Sequence, residues 1–197
     1  MMQMDIKFFF GVIGGILNVI SFVPYLLDIF RGKTKPHSYT WLIWSILQTM
    51  GTIAIFLNGG GYGALGLAIG ALFCIFIFFL SLKYGTKNIV RFDTVLLVGA
   101  LLAVVVWILT KNALYSVILV SAIDFTGYLP TARKGYEEPE SETISLYFMN
   151  ALTDILGLLA LSAYSVTTVL YPAVLLFSNS SLVVLLSLRR RQVLVIK

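Results

Sequence analysis

The sequence predicts an all-α membrane protein: seven transmembrane helices, built as two parallel three-helix repeats joined by a linker helix (3+1+3). Three observations lead there. The chain is 59% hydrophobic and only 12% charged, against about 25% charged in a soluble domain. From Ser38 to Leu82 there is no Asp, Glu, Lys or Arg, and from Thr143 to Leu188 the only one is Asp154. The third observation is a pattern that occurs twice. Asn18-Val-Ile-Ser-Phe-Val-Pro24-Tyr-Leu returns 106 residues later as Asp124-Phe-Thr-Gly-Tyr-Leu-Pro130-Thr-Ala. Pro36-His-Ser-Tyr-Thr40 returns after 103 residues as Pro139-Glu-Ser-Glu-Thr143, and Ser81-Leu-Lys-Tyr after 106 as Ser187-Leu-Arg-Arg. Internal duplication in a membrane chain is a mark of transporters, whose substrate sites lie at the repeat interface near the bilayer midplane.

A spanning helix needs about 20 mostly apolar residues. Each long uncharged stretch holds two, divided by turn signals at Asn58-Gly-Gly-Gly-Tyr-Gly63 and at Ser162-Ala-Tyr-Ser-Val-Thr-Thr168. The expected spans are 8–30, 38–57, 62–82, 93–110, 113–133, 143–162 and 167–188. Residues 1–88 form the first repeat, 89–111 the linker helix and 112–197 the second repeat. Two units of the same orientation need an odd number of crossings between them. The fourth span, Thr94 to Thr110, is rich in Leu, Val and Ala, has no polar residue inside it and reads as a spacer.

Lys and Arg set the orientation. Arg31, Lys33, Lys35, Lys83, Lys87, Arg91, Arg133, Lys134, Arg189, Arg190, Arg191 and Lys197 fall on one side, and Lys7 and Lys111 on the other. The positive-inside rule places the C-terminus in the cytoplasm and the N-terminus outside. The net charge of +5 therefore reports topology. Its dispersal over four short loops argues against a nucleic-acid partner. The first apolar run is too long for a signal peptide and reads as a retained helix. A lone cysteine, Cys74, excludes a disulfide framework or a cysteine metal cluster, and no cofactor or metal is expected.

Ionisable groups inside a span are expensive and usually functional. Asp124 lies mid-way along the fifth span and Asp154 mid-way along the sixth. Asn18, Asn150 and Asn179 are at similar depth. Tyr147, Asn150 and Asp154 stand at i, i+3 and i+7, on one helix face. The repeat offsets pair Tyr147 with Trp44, Asn150 with Leu47, Asp154 with Gly51, Asp124 with Asn18, Asn179 with Phe73, and Ser180 with Cys74. The expected substrate-binding set is Asn18, Trp44, Cys74, Asp124, Tyr147, Asn150, Asp154 and Asn179. One wall is aromatic and one offers hydrogen bonds, which suits a small amphipathic or hydroxylated solute. Asp124 and Asp154 are the candidates for carrying a coupling proton. Asp124 is preferred, because its repeat partner is also polar. The plainer alternatives are Asn18 and Asn179 as polar glue between helices, and Asp154 as a structural carboxyl. Trp41, at the start of its span, reads as an interfacial anchor. His37 reads as a loop residue with no relay role. The acidic run Glu137, Glu138, Glu140, Glu142 faces the same side as Arg31, Lys33 and Lys35 and could close a cytoplasmic gate against them. Pro24 and Pro130 sit at matching points one turn from the cytoplasmic ends of their helices. Proline removes a backbone donor and weakens a helix, so the pair reads as hinges.

At these residues the chain resembles the PQ-loop superfamily, which includes SWEET and SemiSWEET sugar transporters, cystinosin-type transporters and the KDEL receptor. The resemblance covers nearly the whole length. It rests on the three-one-three arrangement, the outside N-terminus, and a proline near the end of each unit's first helix followed by a basic or polar loop. The stretch from Pro24-Tyr through Arg31-Gly-Lys-Thr-Lys-Pro-His to Trp41-Leu-Ile-Trp44 is similar to a prokaryotic branch. Tyr25 and Thr131 stand where the motif has glutamine. The resemblance implies alternating-access transport of a sugar or other small polar metabolite, with or without proton coupling, in a prokaryotic inner membrane. The partners expected are the solute, the bilayer and, as a candidate, a second copy of the chain. A KDEL-receptor-like protein that binds a ligand without moving it is the alternative. An enzyme is not expected: the Gly-Asp and Tyr-Asp motifs of intramembrane aspartyl proteases are absent. The seventh span carries no lysine for a retinal Schiff base.

Overall fold

In the computed structural model the described residues are 6–32, 35–85, 90–137, 139, 142 and 144–196, with the backbone alone at 130, 133, 134 and 194–196. They form seven α-helices: α1 (Ile6–Phe30), α2 (Ser38–Leu57), α3 (Leu65–Tyr84), α4 (Arg91–Thr110), α5 (Ala113–Glu137), α6 (Ile144–Leu159) and α7 (Val166–Ile196), with one 3-10 turn at Gly61–Ala64 before α3. Five are long and apolar enough to cross a membrane: α1, α2, α3 with its preceding turn, α4 and α7. Of the two helices carrying the deep carboxyls, α5 has 25 residues. α6 has 16 residues, a rise of about 24 Å against a hydrocarbon core of about 30 Å.

The ends of the helices have local causes. α6 stops at Leu159, three residues before the expected 162, because α7 is capped early. Ser165 Oγ accepts the Thr168 N–H at 3.2 Å, and Thr168 Oγ1 accepts the Ser165 N–H at 2.9 Å. Tyr164 OH donates to the Leu158 carbonyl at 2.9 Å, satisfying an orphan acceptor of the last turn. Between α2 and α3, Gly59 (φ 78°) and Gly61 (φ 56°) occupy the left-handed region, where a side chain is strained. His37, expected in a loop, caps α2 through Nδ1 and Thr40 N–H. Its Nε2 lies 3.4 Å from Asp93 Oδ2. That carboxylate also accepts the Val90 N–H at 2.8 Å, at the start of α4.

Packing follows a regular order. α3 lies against both α1 and α2, and α7 against both α5 and α6. Among the described residues the backbones of α1 and α2, and of α5 and α6, do not approach closely, and long side chains alone bridge them, Trp41 to Tyr25 and Tyr147 to Tyr128. α1 packs on α6 and α2 on α5 across the two groups, and α4 lies outside on α2 and α5. Ala100 and Ala103 give α4 its seat, packing beside Val117 and Val120 of α5 and Ile43 and Leu47 of α2.

The two ends of the bundle are packed differently. At the glycine-turn end, Leu161 is buried with Ile55 and Ala64 of the other group. Ser162 N–H donates to the Gly60 carbonyl at 3.0 Å. At the basic end, each group has its own cluster. Phe22, Ile29, Trp41, Cys74 and Ile77 form one. Tyr147, Leu182 and Leu186 form the other.

Candidate functional site

The interior polar residues stand on faces that the packing order turns inward. On α2 the stripe Trp41, Trp44, Gln48, Gly51 runs at helical spacing and meets a different neighbour at each step. Trp41 is buried, stacks edge-on to Trp44 with centroids 5.3 Å apart, and donates its indole N–H to Tyr25 OH at 3.3 Å. It is therefore not the interfacial anchor expected: Phe22 and Tyr25 of α1 provide a cleft that covers it. Trp44 faces Tyr128 of α5, centroids 6.3 Å apart. Gln48 Oε1 and Asn18 Nδ2 flank Gly70 of α3 so closely that a β-carbon there would collide with the glutamine. Gly51 leaves room for the ring of Tyr171 from α7.

The second group carries a hydrogen-bonded chain. Asn179 Nδ2 donates to Asp154 Oδ2 at 3.0 Å, and Tyr128 OH donates to Asn179 Oδ1 at 3.3 Å. α5, α6 and α7 are tied by these two bonds. Asn179 thus does what the plainer alternative assigned to it, and Asp154 is held in the same chain. Asp124 is different. It is 1% exposed, and its Oδ2 has no hydrogen-bond partner. Tyr128 stands one turn further along the same helix. Asn18, at the matching place in the first group, is 8% exposed and has an unpartnered Oδ1. Cys74, one turn along α3 from Gly70, is buried and packs with Phe22 and Trp41.

Two expected residues are placed apart from this chain. Tyr147 is buried, but its hydroxyl donates to Glu142 Oε2 at 2.7 Å, towards the basic end, while its ring packs on Leu182, Leu186 and Tyr128. Asn150 lies one turn from Asp154 on α6, with a buried, unpartnered Oδ1. Pro24 lies inside an unbroken α1, and the α5 backbone is helical through position 130. Of the acidic gate, Lys33, Glu138 and Glu140 lie outside the described residues. The backbone of that loop is held from α7: Arg190 donates to the carbonyls of Pro139 and Glu142, and Arg189 to that of Tyr136.

Gln48, Tyr128 and Tyr171 were not in the expected set. Tyr128 was legible: it is i+4 from Asp124, as Phe22 is from Asn18. Gln48 was legible as an uncharged polar residue one turn from Trp44. Tyr171 carried no such signal, and only the packing of α7 on α2 brings it in. A shallow groove at Arg91, Thr94, Val95 and Val98 on α4 is lined by none of these residues. Among the described residues, no group of three or more His, Cys, Asp or Glu is placed to hold a metal ion. Compared with protein-family models, with curated proteins and with solved structures, the chain matched nothing.

Proposed function

We propose that the chain is a membrane transporter of a small polar solute, of the PQ-loop and SWEET-like kind, working by alternating access. In this reading all seven helices cross a prokaryotic inner membrane in a 3+1+3 order, N-terminus outside and C-terminus cytoplasmic. α1–α3 and α5–α7 are the two repeats, and α4 is the linker. Several features support it. Each triplet has its third helix between the other two, and the cross-contacts α1–α6 and α2–α5 correspond to each other when the triplets are exchanged. Ser121 and Asp124 of α5 are buried in the bundle interior, where such residues are tolerated and mark pathways. The lysines and arginines partition between the two sides only if every helix crosses.

One observation carries the reading. Asn18 and Asp124 stand at matching points of the recurring sequence pattern, both are buried, and each keeps an oxygen without a partner. Buried polar atoms are nearly always satisfied, so this pair is best explained as a place where a solute binds. The interlock of Gly60 with Ser162 and of Ile55 with Leu161 is then the closed outer gate. The separate clusters at the basic end are the part that parts company when the site opens inward. Pro24 and Pro130 serve as hinges there. Asp124, with Asp154 beside it, carries a coupling proton as access alternates.

The test is uptake into liposomes from a panel of labelled sugars, amino acids and amines, with and without an imposed pH gradient. Saturable uptake that Asp124→Asn abolishes supports the reading. Uptake indifferent to the gradient makes the protein a uniporter. Ligand binding without uptake in any orientation favours a receptor instead.

A further inference from the structure

We infer that the solute is a small organic cation, with its ammonium group against the free carboxylate oxygen of Asp124 and its apolar part against the rings of Tyr128 and Trp44. The inference rests on the transport reading and names its substrate class. It begins from an imbalance of charge. Asp124 is the one buried residue of charged type among the described residues. Every described lysine and arginine side chain is exposed or half-exposed, at a helix end or in a loop. A buried carboxylate needs a counter-charge or a proton. Asp154 at least has the Asn179 amide as a donor. Asp124 Oδ2 has neither.

Two other interior oxygens call for the same chemistry. Asn18 Oδ1 and Asn150 Oδ1 are buried acceptors without donors. A primary ammonium brings three donors and no acceptor, which complements acceptors better than a sugar hydroxyl does. The rings fit as well. Tyr128 lies one turn from Asp124 on α5, and Trp44 faces it at 6.3 Å. Aromatic faces attract cations, Trp most strongly. Cation and proton would compete for one carboxylate. That competition is itself a mechanism of exchange: a proton entering from one side releases the cation on the other.

The test compares probes that share a skeleton and differ in charge: n-propylamine and 2-phenylethylamine, their alcohols propan-1-ol and 2-phenylethanol, and the acids butanoate and 3-phenylpropanoate. Binding to purified full-length protein is read from tryptophan fluorescence and thermal midpoint. At least one amine should bind about tenfold or more tightly than its alcohol, as expected when a charged hydrogen bond is lost. The acids should not bind. Asp124→Asn should erase the preference, and Asp124→Glu should keep part of it. A neutral alcohol that binds as well as its amine, or no response to either amine in the wild type, overturns the inference, and neither result needs a variant to fold. Sugar uptake without amine binding sinks the substrate class and leaves transport standing. Amine binding without uptake does the reverse.

Discussion

Asn179→Ala tests whether the chain Tyr128–Asn179–Asp154 holds the second triplet together. Asn179 is 2% exposed and makes bonds of 3.0 Å and 3.3 Å to two different helices. Interhelical hydrogen bonds in membranes average about 0.6 kcal/mol, with a maximum near 1.7. Losing both therefore costs roughly 1–2 kcal/mol. Tyr128→Phe removes only the longer bond and should cost about 0.5 kcal/mol. The measurement is reversible unfolding in mixed micelles, run as a double-mutant cycle. With the bond present, the double mutant loses about 0.5 kcal/mol less than the sum of the singles, because the same bond is counted twice. Strict additivity would refute the bond. Asp154→Leu with Asn179→Leu adds a second check. Replacing both partners of a buried bond by apolar groups of similar size can be nearly neutral, so the pair should recover stability that Asn179→Ala alone loses.

Gly63→Ala should destabilise the fold by about 1–3 kcal/mol, because the new methyl meets Leu161 Cδ2 at 2.5 Å and the fixed Gly157 carbonyl at 2.8 Å. An unchanged thermal midpoint would show that the glycine-turn ends do not interlock. Replacing Pro24 and Pro130 together with Ala should slow solute exchange more than it weakens binding, and equal flux in the double variant removes the hinge role. Asp93→Ala should cost about 1 kcal/mol as a lost helix cap, with Asp93→Asn retaining most of it. Melting curves of the two variants that coincide would argue against capping.

Much of the helical layout was legible because it depends on local properties. Uncharged runs, glycine turns and matched offsets locate segments without any knowledge of packing, and the expected boundaries fall within a few residues for α1 to α4. They fail where a side chain reaches across. α6 ends early because Ser165 and Thr168 begin α7, and α7 runs eight residues past the expected 188 through its basic end. Length also sets α6 apart in a way the run of apolar residues hid, since it has 16 residues.

The sequence by itself determined that Asn18 and Asp124 stand at matching points of a recurring pattern, that both lie within apolar runs, and that lysine and arginine are confined to helix ends and loops. These follow from spacing and composition. It could not decide which carboxyl is engaged. Asp154 and Asn179 are 25 residues apart, and their bond exists because α7 lies against α6. Trp41 looked interfacial because it starts a helix, and it is buried because α1 presents Phe22 and Tyr25 to it. Gln48 and Tyr171 join the interior only through Gly70 and Gly51, whose missing side chains let them approach. Depth is a property of position along a helix, which the sequence carries. Partnership is a property of rotation and neighbour, and only the packed bundle sets those.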